Sequence, residues 1–229
     1  MPDSNYDKRL IEEMNRYYDA RAPWHDEYMS YASNAEMKRA LSPIIKTFEE
    51  VIVGRKVLEI ACGTGNWTQV LAKRARSVTA IDISPRVLEI AAGKLAGCKN
   101  VSLVQADAYD LGNVKGSFDV AFSADWWSHI PRQTIPLFMD ALTAKLHDKS
   151  KIIFIDMTMI DYFRQEPSVE DEHGNRVSLR VLPDGSEYRV IKNFPDETEL
   201  RHALEPYGKR IVYYDFPQLV RWMAVIVRP

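Results

Sequence analysis

Between residues 56 and 156, short apolar runs alternate with helical patterns, and this alternation limits the possible folds more than any other feature of the chain. Val57-Leu58-Glu59-Ile60-Ala61 is closed by Cys62-Gly63-Thr64-Gly65, and Val70, Leu71 and Ala75 then recur at helical spacing. Ser77-Val78-Thr79-Ala80-Ile81 forms a second run ending at Asp82. Ser84-Pro85 follows as a helix N-cap with proline in the first turn. Further runs lie at 101–106, 118–123 and 152–156, with a helix around 132–147 between the last two. Strands that alternate with helices imply βαβ units, right-handed crossovers and a parallel sheet.

The flanks differ from this core. Residues 5–50 read as helical, with Pro23 separating two helices and Pro43 kinking one. The block from Tyr17 to Tyr28 is rich in aromatic residues. Residues 176–191 alternate around Pro183-Asp184-Gly185, which predicts a hairpin. A helix is expected over 195–207, and two closing strands at 210–214 and 222–227. The expected plan is one domain: a helical cap over 1–50, a core over 51–160, an insertion with a hairpin over 161–194, and a closing unit over 195–229.

The glycine turn and the acids around it carry the chemistry. Gly63 and Gly65 let the backbone turn tightly and approach a ligand. A dinucleotide fingerprint would need a third glycine where Thr68 stands. Glu59 lies inside the preceding strand, where it would repel a pyrophosphate and attract an ammonium or sulfonium. Asp82 ends the next strand and can accept hydrogen bonds from both hydroxyls of a ribose, and Asp107 follows the third strand similarly. All three acids fall at carboxyl ends of predicted parallel strands, where open α/β sheets bind ligands.

In these motifs the chain resembles the class I S-adenosylmethionine-dependent methyltransferases. Residues 57–65 look like that family's first motif, Ala80-Ile81-Asp82-Ile83-Ser84 its second and Ala106-Asp107-Ala108 its third. Phe118-Asp119-Val120-Ala121-Phe122-Ser123 looks like its fourth-strand motif, and the likeness covers roughly residues 35–160. Asn66-Trp67, a bulky pair after the second glycine, departs from the pattern. The resemblance implies an α/β fold: a doubly wound, mostly parallel seven-stranded Rossmann-like sheet with helices on both faces and an antiparallel last strand. It implies S-adenosyl-L-methionine as cofactor, and no metal. Gly63 and Gly65 would meet its methionyl part, with Glu59, Ala61 and Thr64 around them. Asp82 and Ile83 would meet the ribose, Asp107 and Ala108 the adenine, and Ser123 and Ala124 would close the site from the fourth strand.

Composition narrows the partners. Thirty Lys and Arg stand against 32 Asp and Glu, a formal charge of −2 that gives no footprint for nucleic acid or anionic membrane. No run of apolar residues is long enough to span a bilayer. The two cysteines, Cys62 and Cys98, support neither a disulfide framework nor a zinc site, so a cytoplasmic protein is expected. Its partner is expected to be a small-molecule methyl acceptor, and its state a monomer or homodimer.

The acceptor side offers candidates with two readings each. His129 is the best general base after the fourth strand, or else it caps the next helix or packs beside Trp127. Trp126 and Trp127 line a substrate pocket or simply pack. Asp125 binds the cofactor amine or substrate, or is a solvated loop acid. Tyr18 and Tyr28 are the preferred pocket residues of an aromatic lid that also includes Tyr17, Trp24, His25 and Tyr31, or else these rings seal the sheet. His25, Asp26 and Glu27 lack metal-like spacing and are expected in solvent. Asp156, Asp161 and Tyr162 follow the fifth strand and either touch substrate or order a loop. Arg176, Arg180 and Arg189 on the hairpin either bind an anionic substrate through bidentate hydrogen bonds or protect a strand edge. The leading function is methyl transfer by in-line displacement to a small aromatic or apolar molecule. The alternatives are an NAD(P)-dependent oxidoreductase on a related fold, opposed by Glu59 and Thr68, and a non-catalytic protein that binds S-adenosylmethionine.

Overall fold

The computed structural model describes residues 8–28 and 34–229 of the chain. Helices α1 (Lys8–Arg21), α2 (His25–Tyr28), α3 (Asn34–Ala40) and α4 (Ser42–Ile52) precede strand β1 (Lys56–Ile60). Then follow α5 (Thr68–Leu71), β2 (Ser77–Asp82), α6 (Pro85–Leu95), β3 (Val101–Gln105), β4 (Phe118–Ala124), α7 (Ile135–Thr143) and β5 (Leu146–Met157). An insertion carries α8 (Asp161–Gln165), β6 (Ser168–Glu170), β7 (Arg176–Val181) and β8 (Glu187–Ile191). Helix α9 (Glu197–Leu204) and strands β9 (Arg210–Phe216) and β10 (Arg221–Val227) close the chain.

Seven strands form one sheet in the order β3-β2-β1-β4-β5-β10-β9. Strands β1 to β5 are parallel, and β10 runs antiparallel to both β5 and β9. This is the Rossmann-like sheet with an antiparallel last strand that the motifs predicted. The expected hairpin, β7 with β8, gains a third strand, β6, and forms a separate antiparallel sheet. Ser84 caps α6 by accepting from the Val87 amide at 3.3 Å. Asp196 and Glu199 form a reciprocal capping box on α9.

Three local expectations change. Pro43 sits in the first turn of α4 and starts that helix, where its missing N–H costs nothing, so it kinks no helix. The helix after the glycine turn is only four residues long. Strand β5 begins at Leu146 instead of Ile152, because the Lys149 amide bonds the Pro229 carbonyl and the Arg228 amide bonds Ser150. That pairing with the chain's end carries the polar stretch His147-Asp148-Lys149 into the strand, with Lys149 in a left-handed conformation at φ 62°.

Each face of the large sheet buries its own layer. One contains Phe138, Met139 and Leu142 of α7 with Leu200, Leu204, Phe154 and Trp222. The other joins Ile44, Phe48 and Ile52 of α4 to Trp67, Phe122 and Ile153. The bulky Trp67 is therefore core: its ring lies 5.6 Å from Phe122 and 6.2 Å from Phe48. A third cluster packs Leu10, Met14 and Tyr17 of α1 on Val177, Val190 and Ile191 of the insertion. The cap and the insertion thus share a small core of their own, above the carboxyl ends of the sheet.

Phe48 is fully buried and meets Phe122 at 5.3 Å, so Phe48→Ala should cost about 3–5 kcal/mol through lost transfer energy and a cavity. Denaturant unfolding monitored by circular dichroism measures this; a loss below about 1 kcal/mol would show that α4 is not anchored there.

Candidate active site

Strands β1 and β4 are neighbours, yet their following connections run to opposite sides of the sheet, which opens a crevice at their carboxyl ends. The backbone turns sharply there: Ala61 after β1 and Asp125 after β4 both take left-handed conformations, with φ of 52° and 58°. Gly63 and Gly65 also have positive φ. A Cβ on Gly65 would come within 3.0 Å of Leu95 and 3.3 Å of Ala91, so this glycine lets α6 approach the turn.

A cavity of about 820 Å³ occupies the crevice. Glu59 faces it at 2% exposure, and its Oε2 has no hydrogen-bond partner among the described residues. Burial pushes its carboxyl up to about 8, with the nearby Thr68 hydroxyl opposing the shift and the charge of Asp82 adding to it. A buried acid lacking a partner is costly unless a ligand supplies one. Asp82 accepts from the Gly63 amide at 2.9 Å and the Ser84 amide at 3.0 Å, which fixes its carboxylate at the cavity wall. Burial raises its pKa, and these amide bonds oppose that shift. Ala61, Gly63 and Thr64 line the same end, as do Ile83, Asp107, Ala108 and Ala124. Asp107 holds the adjoining turn by accepting from the Tyr109 amide at 2.9 Å.

Three predicted site residues lie elsewhere. Gly65 packs on α6, as above. Ser123 is buried and donates to the Ile60 carbonyl at 3.2 Å, tying β4 to β1. Trp127 is buried against Phe154 at 4.8 Å, while its neighbour Trp126 lines the cavity, backed by Phe138 at 4.7 Å. The side chain of Tyr28 and all of Tyr31 lie outside the described residues.

The cap roofs the cavity. Asp26 accepts from Thr64 at 2.7 Å, Asn66 at 3.0 Å and Lys94 at 2.5 Å, which joins α2 to the glycine turn and to α6. Asp19 accepts from Ser84 at 2.6 Å and draws α1 over the end of β2. This corrects the expectation that Asp26 stands in solvent, and of the two readings of His25 it favours the lid over the solvated side chain. His25 lies in the cavity wall with Nε2 close over Gly63, and Arg21 bonds its Nδ1 at 3.2 Å. Burial and the Arg21 charge lower its pKa to about 4, so it is neutral at physiological pH.

The other half of the cavity centres on Tyr18 and His129. The His129 Nδ1 lies 2.6 Å from the Ile191 carbonyl, which can only accept, so Nδ1 carries the proton. Its Nε2 then accepts from the Tyr18 hydroxyl at 2.8 Å. Burial, together with nearby Lys192, holds the imidazole well below its ordinary pKa, and burial raises that of Tyr18. Both groups are neutral near pH 7. Around them stand Arg21, Glu166, Arg180, Lys192 and Arg221, of which sequence reasoning singled out only Arg180. Asp125 pairs with Arg221 and is not a solvated acid, although its Oδ2 has no partner among the described residues. Asp156 is fully buried and orders the loop after β4, accepting from the Ser128 amide at 2.8 Å.

Buried acids at strand ends, beside a glycine turn and under a cap, suit a cationic nucleoside. Comparison with known proteins gives the family. A model of the Methyltransferase domain matches residues 57–149. A demethylmenaquinone methyltransferase of Staphylococcus aureus (strain JH9) is 33% identical over 165 residues, which is 68% of each chain. One of another strain, MRSA252, is 45% identical over 69 residues, and this chain spans 29% of that relative. The structure of the DhpI–SAH complex superposes with a TM-score of 0.76 at 26% identity, covering 96% of this chain and 97% of that one. The glycopeptide N-methyltransferase MtfA in complex with S-adenosylmethionine shares the fold, with a TM-score of 0.61 at 16% identity, covering 81% of this chain and 92% of that one.

The chain belongs to the class I S-adenosylmethionine-dependent methyltransferases. It is an enzyme with S-adenosylmethionine as its cofactor, which sets aside the nicotinamide and non-catalytic alternatives. The orphaned Glu59 carboxyl and the fixed Asp82 carboxylate fit this group's cationic and hydroxyl-bearing parts. No helix among the described residues is long and apolar enough to cross a membrane.

Because Glu59 is protonated below about pH 8 in the free protein, binding a cation beside it should release a proton. Cofactor affinity should therefore rise from pH 6 to about 8.5, and Glu59→Gln should flatten the dependence. Calorimetry in buffers of differing ionisation enthalpy measures both; a pH-independent affinity with no proton release would contradict this assignment.

Proposed function

We propose that this methyltransferase acts on a small molecule with an aromatic or apolar body, seated between the cofactor end of the cavity and the Tyr18–His129 pair. The observation that carries this reading is that one continuous cavity joins the two ends beneath the cap. Ile11, Met14, Ile160, Phe163 and Leu179 offer apolar wall to such a body. A curated relative named for demethylmenaquinone supports a flat, apolar acceptor. A roofed cavity built from the cap and the insertion suits a small acceptor better than a protein or nucleic-acid chain.

When bound, S-adenosylmethionine supplies a sulfonium whose methyl passes to a nucleophile in a single displacement. The protein's part is then alignment and exclusion of water, which account for much of the acceleration in such reactions. Glu59 and Asp82 hold the cofactor end. The α1 and α2 segments close over it through Asp19 and Asp26. Tyr18 presents its hydroxyl to the acceptor half. His129 is a positioning residue: with its Nδ1 proton on Ile191 and Nε2 on Tyr18, it orients that hydroxyl instead of meeting the acceptor as a free base.

Three variants separate these roles. Asp82→Ala should weaken binding of S-adenosylhomocysteine by about 1–3 kcal/mol, the scale of lost charged hydrogen bonds. Tyr18→Phe and His129→Ala should leave that affinity within about twofold, since neither side chain contacts the cofactor end. Label from methyl-labelled S-adenosylmethionine should enter low-mass acceptors of flat apolar shape. Label found only on added protein or RNA would contradict the small-molecule reading.

A further inference from the structure

The acceptor half of the cavity has apolar walls but a strongly charged floor. Arg21 from α1, Arg180 from β7 and Lys192 just after β8 reach it from three separate elements. Arg221 stands beside them, paired with Asp125. Glu166 is shared by two arginines, Arg176 at 3.2 Å and Arg180. Lys192 is 6% exposed, donates to Ser128 at 2.8 Å and lies 3.7 Å from Asp156. Among the described residues, five cationic side chains and three carboxylates meet at this end, and the neutral His25 and His129 add no charge.

The two arginines on Glu166 differ in what they do. Arg176 is a structural group, bonding the Phe163 and Glu166 carbonyls and Ser178, which fastens α8 and the link after it to β7. Arg180 makes no such backbone bonds among the described residues and faces the cavity. The fields of the cavity cations overlap at one place: Lys192, Arg21 and Arg180 all act on His129, and Arg21 and Arg180 both act on Tyr18. Elsewhere on the chain, ion pairs such as Arg189–Glu13 and Arg132–Glu199 join one cation to one acid. A cluster of cations withdrawn from water is unfavourable until an anion joins it. The cofactor's sulfonium adds positive charge to the same enclosure, so an anionic acceptor gains from both ends.

We infer that the acceptor carries an anionic oxygen group, of carboxylate or phosphate type, seated against Arg180, Lys192 and Arg21 beside the Tyr18 hydroxyl. Guanidinium groups match the paired oxygens of either anion, and the Lys192 ammonium adds a point charge beside them. The inference rests on the small-molecule reading above and adds to it the charge of the acceptor. The apolar body lies along the walls, and the anionic end reaches the floor.

The test uses the full chain saturated with S-adenosylhomocysteine. Benzoate, benzyl alcohol and inorganic phosphate are titrated by calorimetry. Benzoate or phosphate should bind, and benzyl alcohol should bind at least about tenfold more weakly than the better anion. Phosphate above benzoate assigns the phosphate type, and the reverse assigns the carboxylate. Arg180→Gln and Lys192→Met should each weaken the anion by about tenfold or more, while the S-adenosylhomocysteine affinity stays within about twofold. Lys192 is buried against Asp156, so Arg180→Gln, at a partly exposed position, and the charge-keeping Arg180→Lys serve as the check if Lys192→Met does not fold. Arg180→Lys should retain part of the binding that Arg180→Gln loses. Benzyl alcohol binding as well as both anions, or anion affinity unchanged in Arg180→Gln, would overturn the inference. Failure of S-adenosylhomocysteine itself to bind would instead overturn the cofactor assignment beneath it.

Discussion

The carboxyl of Glu59 sits at the carboxyl end of β1, where the sheet's crossovers part and leave a crevice. Its burial sets the terms for the rest of the site. An acid kept from water in this way is pushed up toward neutrality unless a cation comes to it. The surrounding structure makes that arrival possible while excluding solvent. Asp82 is fixed by two backbone amides, the glycine turn lets α6 close behind, and the cap is drawn down through Asp19 and Asp26.

The cap's attachment uses interactions of modest individual strength. The Asp26–Lys94 pair is about half exposed on its acidic side, and such pairs contribute little to stability on their own. Their value lies in position. The other partners of Asp26, Thr64 and Asn66, belong to the glycine turn, so the roof is fastened to the loop at that end of the cavity. On the far side, α1 packs its apolar stripe on the insertion, and the small core they form supports Tyr18 and Arg21 over the acceptor half. The two halves of the cavity are therefore built by different means: polar ties over the Glu59–Asp82 end, and apolar packing behind the Tyr18–His129 end.

The sheet was legible because its signals are local. Continuous apolar runs, a glycine turn and acids at strand ends lie within a few residues of each other, and their order defines the crossover pattern. The acids and the glycine turn that line one end of the cavity were legible for the same reason. What was not legible depends on contacts between distant segments. Trp126 and Trp127 are neighbours with identical side chains, yet the left-handed turn at Asp125 sends one to the cavity and the other to the core. His25 gave no spacing signal, and its place over Gly63 follows from the packing of the cap. Arg21, Arg180 and Lys192 come from opposite ends of the chain. They meet only because Leu10, Met14 and Tyr17 find Val190 and Ile191. Arg180 had been noted for its place on the hairpin, but nothing local distinguished an anion ligand from an edge-strand charge.

The central claim is that the crevice at β1 and β4 holds the cofactor with its reacting centre turned toward the Tyr18–His129 pair. A crystal structure of the chain with S-adenosylhomocysteine tests this most directly. The account predicts an adenosine ribose on Asp82 and a sulfur atom facing the Tyr18 hydroxyl across the shared cavity. A ligand bound elsewhere, or a sulfur turned away from Tyr18 toward solvent, would contradict it.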